Sequence, residues 1–251
     1  MALDVGGKVV VITGASRGLG RGMAERMAAR GVRLGLCARQ RPELGLPAGQ
    51  AHCASVDVTD AAALDCFADA VCDRLGPIDL WINNAGVLEP IAFVRDLPPA
   101  AFGKTLDVNV LGVLHGIQAY LRSQRKQDRR GGVVVNISSG AALKGYAGWG
   151  AYCASKAAVD RLTECLQLEE AGQGLRAYSV APGVIDTAMQ ELIRAQTPDR
   201  FPEVERFRQL KQANAFNSPA YVADELLALA FDPAVRPERV VVRILPERGS
   251  S

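Results

Sequence analysis

The sequence predicts a single α/β domain spanning 1–251, built on a doubly wound parallel sheet of about seven strands with helices on both faces. Three observations carry this. Apolar runs rich in Val and Ile recur between helix-like stretches, the pattern of strands buried on both faces. At 251 residues the chain can bury one large core, but it is too short for a second domain beside a full sheet. A glycine-rich turn, Thr13 to Gly20, separates the first apolar run from the first helical pattern.

Strands are predicted at 8–13, 32–37, 52–56, 79–82, 133–137, 175–180 and 240–244. Helical periodicity is clearest at 20–29, 61–75, 102–124, 152–171 and 218–230. Right-handed crossovers joining these strands would put a ligand across their carboxyl ends, where the strand order switches. One crossover is reduced: Pro42, Gly45, Pro47 and Gly49 crowd the stretch between Arg39 and His52, which leaves room for at most a single helical turn. After Pro182 the chain runs long without a strand signal, with short helices predicted at 189–195 and 204–214. A segment of that kind on the carboxyl side of a sheet predicts a substrate lid at about 186–217.

Composition excludes several classes. The formal net charge is +2, and the basic residues are scattered except between Arg122 and Arg130. That stretch reads as a solvated helix end before Gly131-Gly132, since Lys and Arg are favoured at the negative end of the helix dipole, so no nucleic-acid partner is expected. No basic segment followed by an apolar stretch opens the chain, and no apolar run nears the ~20 residues of a membrane span. A soluble cytoplasmic protein is the expectation. The six cysteines form no C-x-x-C pair and only His52 and His115 could join them, so reduced thiols and no metal site are expected. Cys153 stands apart because it adjoins Tyr152.

The glycine turn carries the first chemistry. Gly14, Gly18 and Gly20, with Ser16, Arg17 and Leu19 between them, let a backbone approach a pyrophosphate, and the following helix N-terminus offers N–H donors. At the end of the second strand an acid would select a ribose hydroxyl, and an arginine would accept a 2′-phosphate. The chain reads Cys37-Ala38-Arg39 there, and Arg17 projects from the glycine turn toward the same place. NADP(H) is therefore favoured over NAD(H).

Tyr152 and Lys156 carry the second. Residues four apart share a helix face, so a phenol and an ammonium can address one reacting group. A free phenol has a pKa near ~10, and a neighbouring cation is expected to pull it down. Ser139 can supply a hydroxyl to a carbonyl oxygen on which charge builds.

With these residues in view the chain resembles the short-chain dehydrogenase/reductase family along nearly its whole length. The motifs occur in family order: the glycine turn, Asp57-Val58-Thr59, Asn83-Asn84-Ala85-Gly86, Asn109, Ser138-Ser139, Tyr152 with Lys156, and Pro182-Gly183 through Thr187. The resemblance implies a Rossmann-like fold and the catalytic set Asn109, Ser139, Tyr152 and Lys156. It puts Asp57 and Val58 beside the adenine, Asn84, Ala85 and Gly86 on the adenosine side, and Ile185 and Thr187 at the nicotinamide, after Pro182 and Gly183. Lys156 would also bind the nicotinamide ribose, and Asn109 would kink its helix and anchor a water leading to Lys156.

Within the family the likeness is to the sepiapterin reductase and benzil reductase group, through Gly148-Trp149-Gly150-Ala151-Tyr152-Cys153 and Val184-Ile185-Asp186-Thr187-Ala188-Met189. That implies an apolar, aromatic pocket formed by Leu88, Ser139, Tyr146, Trp149, Tyr152 and Met189, suited to planar ketones or diketones. The last strand, 239–244, carries no acid where a sepiapterin reductase is expected to grip its pterin. The tail lacks the Asp-Gly-Gly ending of tetrameric relatives, leaving a homodimer or a homotetramer open. The expectation is an NADPH-dependent carbonyl reductase acting on a small-molecule carbonyl substrate. An alcohol dehydrogenase of a biosynthetic pathway is the alternative, and a non-catalytic NADP(H)-sensing protein has less behind it, since a sensor need not keep all four catalytic residues.

Overall fold

In the computed structural model, which describes residues 3–247, one sheet runs through the molecule. Its strands are β1 (Val9–Thr13), β2 (Arg33–Ala38), β3 (Ala51–Ser55), β4 (Leu80–Asn83), β5 (Val133–Ile137), β6 (Arg176–Ala181) and β7 (Val241–Arg243). The helices are α1 (Gly18–Ala29), α2 (Ala61–Leu75), α3 (Pro99–Leu106), α4 (Gly112–Lys126), α5 (Gly150–Glu170), α6 (Ala188–Arg194), α7 (Val204–Gln212) and α8 (Pro219–Phe231). The spatial order is β3-β2-β1-β4-β5-β6-β7, every neighbouring pair parallel. The chain thus winds outward twice, from β1 to β3 and from β4 to β7. A crevice opens at the carboxyl ends of β1 and β4.

Side chains alternate across a strand, and this builds two cores from the same residues. Val10, Ile12, Leu34 and Ile82 face one side, where Met23 and Met27 of α1 and Val222 and Leu226 of α8 cover them. Val9, Val11, Trp81 and Val134 face the other, under Phe67 of α2, Ile117 of α4 and Val159 of α5. Leu44 and Leu46 help to cover the first core from the connection between β2 and β3, which contains no helix and ends in a turn at 48–50.

The helix expected over 102–124 is broken. α3 ends at Leu106, the chain widens into a π-helical turn over Asp107–Leu111, and α4 follows. The reason is Asn109, which is fully buried and turns its amide outward from the helix. Its Nδ2 donates to Val87 O at 2.8 Å and to Ser155 Oγ at 3.0 Å, and its Oδ1 accepts from Val87 N at 2.8 Å. The kink foreseen at Asn109 takes this form. The side chain thereby spends its donors inside the protein. The tail read for its missing Asp-Gly-Gly ending lies largely outside the described residues.

The 122–130 stretch is ion-paired along the surface. Arg122 pairs with Asp65 and Asp69, Lys126 with Asp69 at 2.7 Å, Arg125 with Glu170 at 3.5 Å and Arg129 with Asp79 at 3.1 Å. These contacts tie α4 to α2, α5 and the start of β4. Among the described residues no helix is long and apolar enough to cross a membrane, and no cluster of His, Cys, Asp and Glu could hold a metal ion.

A chain of polar groups crosses the second core. Trp81 Nε1 donates to Asn83 Oδ1, Asn83 Nδ2 to Asn136 Oδ1, each at 2.8 Å, and Asn136 Nδ2 to Thr163 Oγ1 at 2.9 Å. Each buried group finds a partner, which removes the desolvation penalty and fixes how β4, β5 and α5 sit together. Gly116 on α4 makes room for it: a Cβ there would lie 2.0 Å from Asn83 Oδ1. Gly116→Ala is expected to destabilise the protein by about 1–3 kcal/mol, read as a lower urea midpoint in equilibrium unfolding. An unchanged midpoint would show that the packing around Asn83 is looser than described.

Candidate functional site

The crevice between β1 and β4 is shaped by backbone in close approach. A Cβ on Gly14 would lie 2.7 Å from Ala85 Cα, and one on Gly20 would lie 2.5 Å from both Asn84 Nδ2 and Gly14 O. Gly14 and Gly18 have positive φ, which favours glycine further. Thr13 Oγ1 accepts from Asn84 N at 3.0 Å and from Ala85 N at 3.1 Å, while Asn84 Nδ2 donates to Thr13 O at 2.9 Å. Asn84 therefore closes the seam between the two halves of the sheet with its side chain. No side chain caps the N-terminus of α1, so its first N–H groups stay available.

The end of β2 meets this turn through Ala15 N, which donates to Cys37 O at 3.1 Å. Arg39 follows directly and is exposed, as is Arg17, and among the described residues neither joins an ion pair. Asp57 Oδ1 accepts from Thr59 N at 3.0 Å and Thr59 Oγ1 at 2.8 Å, which holds its carboxyl below the ordinary range, with help from the charge of Arg39. Val58 is buried beside it. Across the crevice, a Cβ on Gly18 would meet Thr187 Cγ2 at 3.3 Å, and Ile185 is buried. The glycine turn and the segment after β6 thus converge. A cradle that excludes side chains, open N–H donors and a free arginine at the end of β2 fit a dinucleotide, with Gly14 to Gly20, Arg39, Asp57, Val58, Asn84 to Gly86 and Pro182 to Thr187 around it.

α5 presents Tyr152 and Lys156 on one buried face, at 8% and 4% exposure. Lys156 Nζ donates to Ile137 O at 2.7 Å, at the end of β5, and lies 5.7 Å from the Tyr152 ring centroid. A Cβ on Gly86 would be 3.7 Å from that Nζ and 3.3 Å from Asn109 Oδ1, so Asn109, Gly86 and Lys156 are neighbours. Ser139 caps the short 3₁₀ turn Gly140–Ala142, accepting from Ala141 N at 3.1 Å. The expected lowering of the Tyr152 phenol is not found. Burial pushes it upward, and the Ser139 hydroxyl opposes this in part. Lys156 is itself pushed down to about 8 by burial, with Asp160 resisting. Loss of water outweighs the opposing hydrogen bond for Tyr152 and the opposing charge of Asp160 for Lys156.

The expected pocket residues come together, with additions. Leu88, Tyr146, Trp149, Tyr152 and Met189 join one apolar cluster with Ile193, Phe201, Val204 and Phe207. Trp149 stacks on Phe201 with centroids 4.6 Å apart and planes at 15°, and meets Tyr152 edge-on at 5.7 Å. The indole face foreseen as open to a planar ligand is therefore covered by the chain itself, because stacking two rings withdraws both from water. Phe201 and Phe207 were missed as pocket residues. The three-residue spacing of Val204, Phe207 and Leu210, which keeps them on one side of a helix, was the available signal, together with Ile193 four residues after Met189. Among the described residues, Trp149 Nε1 and Gln190 Oε1 are buried without a hydrogen-bond partner.

Residues 8–198 match the family described as short chain dehydrogenase. The chain is 32% identical over 251 residues to benzil reductase ((S)-benzoin forming) of Bacillus cereus, covering 94% of this chain and 99% of that protein. It is 34% identical to a sorbitol dehydrogenase of Cereibacter sphaeroides, covering 86% and 85%. A solved short-chain dehydrogenase/reductase from Saccharomyces cerevisiae superposes with a TM-score of 0.81 at 29% identity, covering 94% and 95%. This chain belongs to the short-chain dehydrogenase family, whose members are nicotinamide-dependent oxidoreductases acting on CH–OH or C=O groups.

The depressed Lys156 has a consequence for stability that needs no ligand. Its folded value of about 8 lies below the ordinary 10.5, so between those pH values the unfolded chain binds the extra proton and stability rises with pH. Relative to Lys156→Met, which cannot titrate there, the unmutated protein is expected to gain stability from pH 8 to 10.5. Denaturant melts of both proteins across that window test it; a constant difference would refute the depressed value.

Proposed function

We propose that this protein is an NADPH-dependent carbonyl reductase acting on an apolar ketone or diketone. The observation that carries the reading is a buried phenol, Tyr152, flanked by the Ser139 hydroxyl and the Lys156 ammonium at the edge of an aromatic cluster. Bound NADPH supplies the hydride. Ser139 donates a hydrogen bond to the substrate oxygen and stabilises the charge that develops there. Tyr152 bonds the same oxygen and gives it a proton, and burial keeps the phenol in the neutral form a donor needs. Lys156, titrating near 8, holds its proton close to the phenol while its bond to Ile137 O fixes its place. The segment at about 186–217 acts as a lid, with Phe201 and Phe207 excluding water above Trp149.

Substrate class follows from the lining. Apolar and aromatic walls favour a planar ligand. A pterin would want an acid on β7, where Val241, Val242 and Arg243 stand, and would forgo a charge-assisted bond of about 1.5–3 kcal/mol. The relative named benzil reductase supports the same choice.

Arg17 and Arg39 generate the cofactor prediction. NADPH is expected to surpass NADH by at least ~10-fold in kcat/KM, about 1.4 kcal/mol, and Arg39→Asp should shrink or reverse the gap. Equal efficiency with both cofactors in the unmutated enzyme would defeat the assignment.

The reaction is tested with benzil and sepiapterin side by side under saturating NADPH. Benzil is expected to have the higher kcat/KM, and Trp149→Ala should harm its reduction mainly through KM. Tyr152→Phe should cut kcat by roughly 10²-fold or more with NADPH binding nearly intact. Normal turnover in Tyr152→Phe would mean another group donates the proton, and a tenfold advantage for sepiapterin would restore a pterin substrate.

A further inference from the structure

Asp160 stands on the same face of α5, four residues beyond Lys156, and is buried with 7% exposure. Its Oδ1 accepts two hydroxyl hydrogen bonds, from Ser138 Oγ at 2.5 Å and from Ser179 Oγ at 2.6 Å. Such lengths belong to charge-assisted O–H···O⁻ bonds. A carboxylate is costly to bury unless it answers a charge or anchors donors, and here the sequence surrounds it with both. Ser138 directly precedes Ser139, and Ile137 before it takes the Lys156 hydrogen bond. Ser179 lies on β6, from which the chain runs through Pro182 and Gly183 to Ile185. One oxygen atom therefore ties α5 to the carboxyl ends of two neighbouring strands. Among the described residues Lys156 forms no direct ion pair with it; the two side chains sit a helical turn apart, about 5–6 Å between Cβ atoms.

We propose that Asp160 is a positioning residue that fixes the strand end carrying Ser139 and supplies the counter-charge of the buried Lys156 ammonium. This rests on reading Tyr152 and Lys156 as the reacting pair. Asp160 opposes the fall that burial imposes on Lys156, the direction a counter-charge requires. The other groups facing the pair leave that task to it. On α5, Cys153 stands beside Tyr152 and disfavours its ionised form. β5 and β6 present Ser138, Ser139 and Ser179, and the π-helical turn presents Asn109, none of which titrates in this range. The segment after β6 brings Arg206 against Tyr146, on the far side of Trp149.

The experiment separates charge from scaffolding. Lysine side chains are labelled with ¹³C and ¹⁵N, the Lys156 signal is assigned by its loss in Lys156→Met, and its titration is followed without cofactor or substrate. Asp160→Asn is expected to lower the Lys156 midpoint by about one pH unit, and Asp160→Glu to restore it. Ser138→Ala keeps the charge, so its midpoint should stay near that of the unmutated protein while kcat for benzil falls. The high-pH limb of benzil reduction should move down with the Asp160→Asn midpoint, because the ammonium that supports Tyr152 is lost at a lower pH. Asp160→Ser is a second neutral variant should the asparagine fail to fold. A folded neutral variant with an unmoved Lys156 midpoint would overturn the proposal, as would equal shifts in Asp160→Asn and Ser138→Ala. The titration needs no turnover, so failure to reduce benzil would strike the substrate assignment and leave the Asp160 result standing.

Discussion

The buried cation of Lys156 is the constraint around which this site is organised. An ammonium at 4% exposure is stable only where its donors and its charge are answered, and each answer comes from a different part of the chain. The end of β5 offers the Ile137 carbonyl, Asp160 offers a carboxylate one turn further along α5, and Gly86 brings the chain after β4 close to the ammonium, where a Cβ would lie 3.7 Å from Nζ. These demands bring β4, β5, α5 and the π-helical turn into one arrangement. The same arrangement buries Tyr152 and sets Ser139 beside it.

The dinucleotide side obeys a different constraint, close approach of backbone. Gly14 against Ala85 and Gly20 against Asn84 bring the two windings of the sheet together, and Thr13 and Asn84 seal the seam with hydrogen bonds. The glycines therefore serve packing between strands, and on the proposed reading they also leave access for a phosphate. The chemistry and the cofactor cradle meet at the segment after β6, where Thr187 touches the glycine turn. Asp186 beside it pairs with Arg194 at 3.1 Å and with Lys211, so α6 and α7 are tied to that same stretch. Movement of those helices would be felt directly at the crevice.

The apolar pocket shows how far the surroundings reshape residues that are individually recognisable. Leu88, Tyr146, Trp149 and Met189 do cluster, but Phe201 and Phe207 come from beyond Pro182 and occupy the indole face. Gly148 makes this contact feasible, with positive φ and a missing Cβ that would lie 2.6 Å from Arg200 O. The proposed substrate site therefore rests on a contact between segments far apart in sequence.

What the sequence by itself determined is local or periodic. Alternating apolar runs foretold the strands within a residue or two, four-residue spacing put Tyr152 and Lys156 on one face, and prolines and glycines removed the helix between β2 and β3. Motif order carried the family and with it the crevice. The tertiary structure decided what depends on long-range contacts and on loss of water. Asn109 opens a π turn because Val87 and Ser155 claim its amide, a competition that helical periodicity does not record. Tyr152 rises rather than falls because burial, invisible in spacing, outweighs the hydrogen bond with Ser139. Asp160 reads as an ordinary helical residue until folding places it between Ser138 and Ser179, whose hydroxyls both donate to one of its oxygens.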